Sequence, residues 1–177
     1  MLALAPLFLS PTPPRWVDGQ IAGYSLARDA TRYQTGIADP TTGLFVVRRL
    51  DCDGAHLSLT LTRDRNVVER SGYDVPGFES RGPSVGSWPL TSRSLPTLAT
   101  GKGVHIGDAP STVTRTLGRP AKIVRSGARG QFTEHRYLWR IPAGSSSEFP
   151  VVNEQVYTFK GERLIEIAFY RNLVGAC

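Results

Sequence analysis

The most regular alternation in the chain is His56-Leu57-Ser58-Leu59-Thr60-Leu61-Thr62, leucine at every second position with a polar residue between. Period two is the spacing of a strand with one buried face. Upstream, Leu44–Leu50 (LFVVRRL) is rich in β-formers, and Asp51-Cys52-Asp53-Gly54 has the composition of a hairpin turn. Arg63–Asn66 reads as a turn and Val67–Ser71 as a returning strand. In the second half, Ala121–Arg125 reads as a short strand and Ser126–Gln131 as a glycine-containing turn. Tyr137, Trp139 and Ile141 then alternate with Arg136, Leu138 and Arg140. Val151–Phe159 and Leu164–Arg171 form a hairpin across Lys160–Arg163. In the last strand Ile165, Ile167 and Phe169 face one way, and Glu166, Ala168 and Tyr170 the other.

One stretch has helical spacing instead. In Gly103–Pro120 (GVHIGDAPSTVTRTLGRP), Val113 and Leu117 are four apart and share a face, with Ile106 just upstream. Asp108 is placed as the N-cap, Pro110 falls in the first turn, Gly118 suits the left-handed closing residue and Pro120 stops continuation. These signals predict a helix at about 109–117, too short to stand without a sheet beneath it. Ile21–Pro40 repeats the spacing: offset by 80 positions, Leu26 meets Ile106, Tyr33 meets Val113, Ile37 meets Leu117 and Pro40 meets Pro120. This suggests a tandem repeat.

A helix followed by an antiparallel meander, done twice, is an α+β architecture. The expected organisation is a signal-like apolar and proline-rich segment (1–20), a first repeat (21–75), a Gly/Pro/Ser-rich linker (76–100) and a second repeat (101–177). Phe78, Trp88 and Leu90 in or near the linker could dock on a neighbour. The helices would cover one sheet face and leave the other open.

Composition changes this picture little. The chain has 177 residues, 40% hydrophobic and 20% charged, as globular proteins do. The net charge of +6 would suit an anionic partner, but the positive residues are mostly scattered arginines, which favours composition bias over a nucleic-acid site. Met1–Ser10 (MLALAPLFLS) is too short to span a bilayer and resembles the apolar part of an export signal. No later segment approaches transmembrane length, so a soluble mature protein is expected, and the export signal would place it in the periplasm or outside the cell. In an exported chain the two cysteines, Cys52 and Cys177, invite a disulfide. Cys177 is the last residue of the sequence, and the pairing stays open.

The second half resembles the small-protein-A/OmlA (SmpA/OmlA-like) family of bacterial outer-membrane lipoproteins and the related modules of the β-lactamase-inhibitor-protein type. The residues that carry the resemblance are Gly103, Gly107-Asp108, Val113, Leu117-Gly118-Arg119-Pro120, Tyr157-Thr158-Phe159 and Leu164-Ile165-Glu166-Ile167. It spans about residues 100–171, with the first half as a degenerate copy. It implies export, no cofactor, and binding of another protein through the open sheet face. No cysteine lies near Ser10, where the lipoproteins carry their lipid, which argues against an anchor and against membership of an outer-membrane assembly complex.

Candidate chemistry is sparse. Gly82-Pro83-Ser84-Val85-Gly86 matches the nucleophile-elbow pattern, but its flanks support neither the strand nor the helix that an elbow requires. Asp51-Cys52-Asp53-Gly54 starts like a calcium loop, yet Thr62 stands where the bidentate glutamate belongs. His56, His105 and His135 are dispersed, and Glu134-His135 is the one acid–histidine neighbour pair. The expectation is a non-enzymatic module without cofactor or metal. It binds another protein or the cell envelope through Arg136, Arg140, Glu166, Tyr170, His56 and Thr60 on the open face. A hydrolase using Ser84 or a histidine and a nucleic-acid binder are the alternatives.

Overall fold

The computed structural model describes residues 12–26, 35–51, 55–70, 73–74, 88–144 and 147–175. In chain order the elements are β1 (Gln20–Ile21), β2 (Tyr24–Ser25), β3 (Thr35–Asp39), β4 (Leu44–Asp51), β5 (His56–Thr62), α1 (Arg65–Arg70), β6 (Tyr73–Asp74), β7 (Trp88–Pro89) and β8 (Thr91–Ser92). Then come α2 (Pro110–Leu117), β9 (Lys122–Ser126), a 3-10 turn at Ala128–Gly130, β10 (Phe132–Ile141), β11 (Val151–Lys160) and β12 (Arg163–Leu173). Eight strands form one sheet in the order β8-β3-β4-β5-β12-β11-β10-β9, antiparallel except where β8 joins β3. Two meanders, β3-β4-β5 and β10-β11-β12, therefore meet edge to edge at β5–β12, with Leu59 opposite Phe169. The protein is mostly strand with little helix, an α+β chain dominated by its sheet.

The main core lies on one sheet face. Leu57, Leu59 and Leu61 of β5, Ile167 and Phe169 of β12, Tyr157 and Phe159 of β11 and Tyr137 of β10 pack there under Val113 and Leu117 of α2. The helix ends as its sequence predicts: Gly118 adopts φ 93°, and its N–H donates to Thr114 O at 2.8 Å. Its start differs. Ala109 holds the N-cap position without a side-chain cap, and Asp108 Oδ2 instead accepts from His105 N–H at 2.8 Å. Asp108 is held by the sheet: Leu164 N–H donates to Asp108 O, and Gly107 N–H to Leu164 O. Those two bonds pin the helix entrance to the start of β12.

The same face takes up residues 12–26. Ile21 and Ala22 are fully buried, Ala22 N–H donates to Ala99 O at 2.8 Å, and the Trp16 ring lies 5.6 Å from Tyr137. The segment expected to be signal-like and proline-rich thus reaches the core: Trp16 packs against it and Ile21 and Ala22 lie within it.

Three other expectations are corrected. Val67–Ser71 does not return as a strand: Arg65–Arg70 is helical, started by Asp64, whose carboxylate accepts from Asn66 N–H at 2.9 Å. Ile37 is no counterpart of Leu117. It lies in strand β3, which Asp39 ends by accepting from Thr41 and Thr42 N–H in a tight turn. Ile165 does not share the core with Ile167 and Phe169; a bulge at Ile165 puts Leu164 there instead. Within 88–100, β8 pairs with β3, and Leu95 and Leu98 pack on the core.

The second face is not wholly open. Val68 of α1, fully buried, packs with Phe45 and Val47 of β4 and with Ala38 and Leu90. Since Phe45 and Val47 alternate with the core residues Leu44 and Val46, α1 and α2 lie on opposite faces. The helices therefore do not share one face, and the surface left by α1 runs from β5 to β9.

Candidate functional site

Strand register sets this second face out in rows. Starting from the leucines of β5, every residue between them points away from the core, and antiparallel pairing carries that alternation across the sheet. One row runs Arg49–Ser58–Tyr170–Glu154–Leu138, and the next Val47–Thr60–Ala168–Val156–Arg136–Lys122. A third runs Phe45–Thr62–Glu166–Thr158–Glu134–Val124. His56, Asn172, Val152 and Arg140 form the outermost row. All six residues expected at the binding surface thus stand on one face.

They do not play equal parts. Val47, Thr60, Ala168 and Val156 are each at most 7% exposed and form a floor of small side chains. Thr60, expected to be exposed, lies in this floor because larger side chains rise on the rows beside it. Two depressions adjoin across Tyr170 and Asn172. One, of about 300 Å³, is lined by Arg49, His56, Ser58, Thr60 and Val67. The other, of about 230 Å³, is lined by Glu134, Arg136, Glu154, Val156, Thr158 and Glu166. Together they make a trough crossing the strands from β4 to β10. Arg140, exposed at the strand end beside Val152, lines neither depression.

The far end of the trough is organised by Arg136. Its Nη2 and Nε donate to Glu134 Oε2 at 2.6 and 2.9 Å, and Nη1 donates to Glu154 Oε1 at 3.1 Å. Burial pushes the Glu134 carboxyl up, but hydrogen bonds from Ser126 and Arg136 and the Arg136 charge outweigh it and leave it lowered. The hydrogen bond to Glu134 in turn raises Arg136. Glu166 is different: burial raises its carboxyl, the Thr62 hydroxyl at 3.0 Å opposes this, and the charges of Asp64 and Glu134 add to it. Two carboxylates thus hold one guanidinium, and a third, Glu166, lines the same depression. Burial, reinforced by Glu166 and Glu154, pushes the Tyr170 phenol up to about 12, so it is a neutral hydrogen-bonding ring in the middle of the trough.

At the near end, His56 Nδ1 lies 3.0 Å from Asn172 Oδ1, a contact that joins β5 to β12 at the trough wall. Arg49 Nη1 donates to Arg70 O at 3.2 Å.

The other candidates separate. Glu134 and His135 point to opposite sides of β10 and cannot act together; His135 is buried against Phe159, ring centroids 4.8 Å apart. His105 lies on an exposed loop near Asp108. Ser84, Phe78, Cys52 and Cys177 lie outside the described residues, as does all of Met1–Pro11. Among the described residues, no group of three His, Cys, Asp or Glu side chains is placed to hold a metal ion, and no helix is long and apolar enough to cross a membrane. Comparison with protein families, with curated proteins and with solved structures finds no match.

Sequence reading missed Arg49, Asn172, Glu134, Glu154 and Thr158. The period-two pattern of β11 contained a usable signal: Val152, Glu154, Val156 and Thr158 share a face once one register is known. Arg49 had none, because Val46-Val47-Arg48-Arg49 repeats instead of alternating.

Proposed function

We propose that this chain is a non-enzymatic, exported binding module, periplasmic or secreted, that engages another protein through the trough on its second sheet face. The observation that carries the reading is Tyr170, a neutral aromatic side chain standing between two adjoining depressions with charged walls. An aromatic anchor with arginines around it is the residue set that dominates protein interfaces. The apolar start of the sequence and the resemblance to the small-protein-A/OmlA and inhibitor-type modules support export and protein binding. The two three-stranded meanders joined at β5–β12 fit a pair of diverged repeats, the second of which keeps its helix on the core face. Three carboxylates in the trough weigh against a polyanion, despite the net charge of +6.

The test is affinity capture from the periplasmic or secreted fraction of the host. Wild type and Arg140→Glu, which lies outside the trough, should recover the same protein, and Tyr170→Ala should lose it. Equal recovery by wild type and Tyr170→Ala would overturn the reading.

A further inference from the structure

The trough is polar end to end as well as concave. Its β4–β5 end carries Arg49 and His56, with Arg49 donating to the backbone carbonyl of Arg70. Its β10–β12 end is lined by Glu134, Glu154 and Glu166, with Arg136 shared by the first two, an excess of two negative charges among the lining residues when all are ionised. In a chain of net charge +6, this is a local reversal of sign on a concave surface. Arg136 is shared by Glu134 and Glu154, while Glu166 is held by the Thr62 hydroxyl. Burial raises the Glu166 carboxyl, and the charges of Asp64 and Glu134 add to this while the Thr62 hydroxyl and the Arg70 charge oppose it.

We infer that the trough takes an extended protein segment that carries an acidic side chain and, about four residues away, a basic one. The acidic group would lie beside Arg49 and His56, and the basic group among Glu134, Glu154 and Glu166, with Tyr170 between them. The spacing follows from the sheet. Arg49 and Glu154 share a row and are three strand spacings apart, or about 14 Å. An extended segment covers that in about four residues. The small side chains of Thr60, Ala168 and Val156 keep the floor low enough for the segment to lie across the strands. Charge complementarity of this kind selects a partner and its direction of docking more than it sets affinity. This inference rests on the binding reading above and narrows it to one chemistry.

The experiment is selection of a random dodecapeptide library displayed on phage, on the full chain, with counter-selection on Tyr170→Ala. The expected pool is enriched at least fivefold in sequences with an acidic and a basic residue three to five positions apart. Binding of synthetic peptides from that pool should weaken at least tenfold on a Glu154→Gln/Glu166→Gln double variant and on Arg49→Gln. All variants are checked for a single cooperative unfolding transition. A pool without such pairs, or no enrichment, overturns the inference. So does a single-stranded oligonucleotide, or a second copy of the chain in sedimentation equilibrium, blocked by Tyr170→Ala. Loss of the captured protein with Tyr170→Ala alongside a charge-independent pool would leave the binding reading standing and remove only this one. Capture unaffected by Tyr170→Ala would remove both.

Discussion

Removing residues 1–22 should abolish folding. Residues 12–26 close the core from its N-terminal side. Ile21 is fully buried against the leucines of β5 and the aromatic residues of β11 and β12, and loss of a buried isoleucine side chain costs about 2–5 kcal/mol. Gln155, 3% exposed, donates from Nε2 to Asp18 O at 2.6 Å; a buried amide left without its acceptor costs about 1–3 kcal/mol more. Trp16 covers Tyr137, and Arg15 donates to the last carbonyls of α2 through Arg115 O and Thr116 O. The sum approaches the whole stability of an ordinary domain, about 5–15 kcal/mol. Ile21→Ala isolates the largest part. At about 3 kcal/mol, and with a urea dependence of about 2 kcal/mol per molar, it should lower the unfolding midpoint by about 1.5 M. Tryptophan fluorescence follows the transition, since Trp16 leaves the Tyr137 ring on unfolding. The reasoning fails if the chain lacking 1–22 unfolds cooperatively at the wild-type midpoint, or if Ile21→Ala shifts it by less than about 0.5 M.

Gly118 has φ 93° and ψ −173°, a region nearly confined to glycine, so Gly118→Ala should destabilise by about 1–3 kcal/mol in urea unfolding. Burial lowers the His135 pKa, so its neutral form contributes stability that is complete above the unfolded value near 6.5 and is lost as pH falls. Wild type should lose stability from pH 7 to pH 5, and His135→Phe should flatten that slope. Glu166 has the opposite sign: burial raises its folded pKa, so its contribution is present at low pH and is lost as pH rises through the carboxylate range. Glu166→Gln should therefore raise the urea midpoint at pH 7 while weakening trough binding.

Much of this fold was legible where the signal is local. The leucine alternation of β5 and the Val113–Leu117 pair closed by Gly118 all formed as read, because a strand period and a helix stop depend on neighbouring residues. What was not legible depends on distant ones. Asp108 has the composition of an N-cap, yet its backbone is claimed by Leu164, far along the chain. Val67 and Val68 are β-formers, but Asp64 starts a helix there, and Phe45 and Val47 give it a surface to cover. Ile165 alternates correctly in sequence, and one unpaired residue against β11 moves it out of the core. The candidate surface follows the same division. His56, Thr60, Glu166 and Tyr170 were readable from period two alone. The pairing of Arg136 with Glu154, and the trough itself, required the register of β10 on β11 and of β5 on β12.

The most direct measurement places a photo-crosslinking phenylalanine derivative at Ser58, in the row beside Tyr170, and separately at exposed Arg119 beyond α2. After irradiation in the host's periplasmic or secreted fraction, the Ser58 variant should form a covalent adduct with one discrete protein, and the Arg119 variant should form none. An adduct at Arg119 with none at Ser58, or equal adducts at both, would contradict a partner seated in the trough.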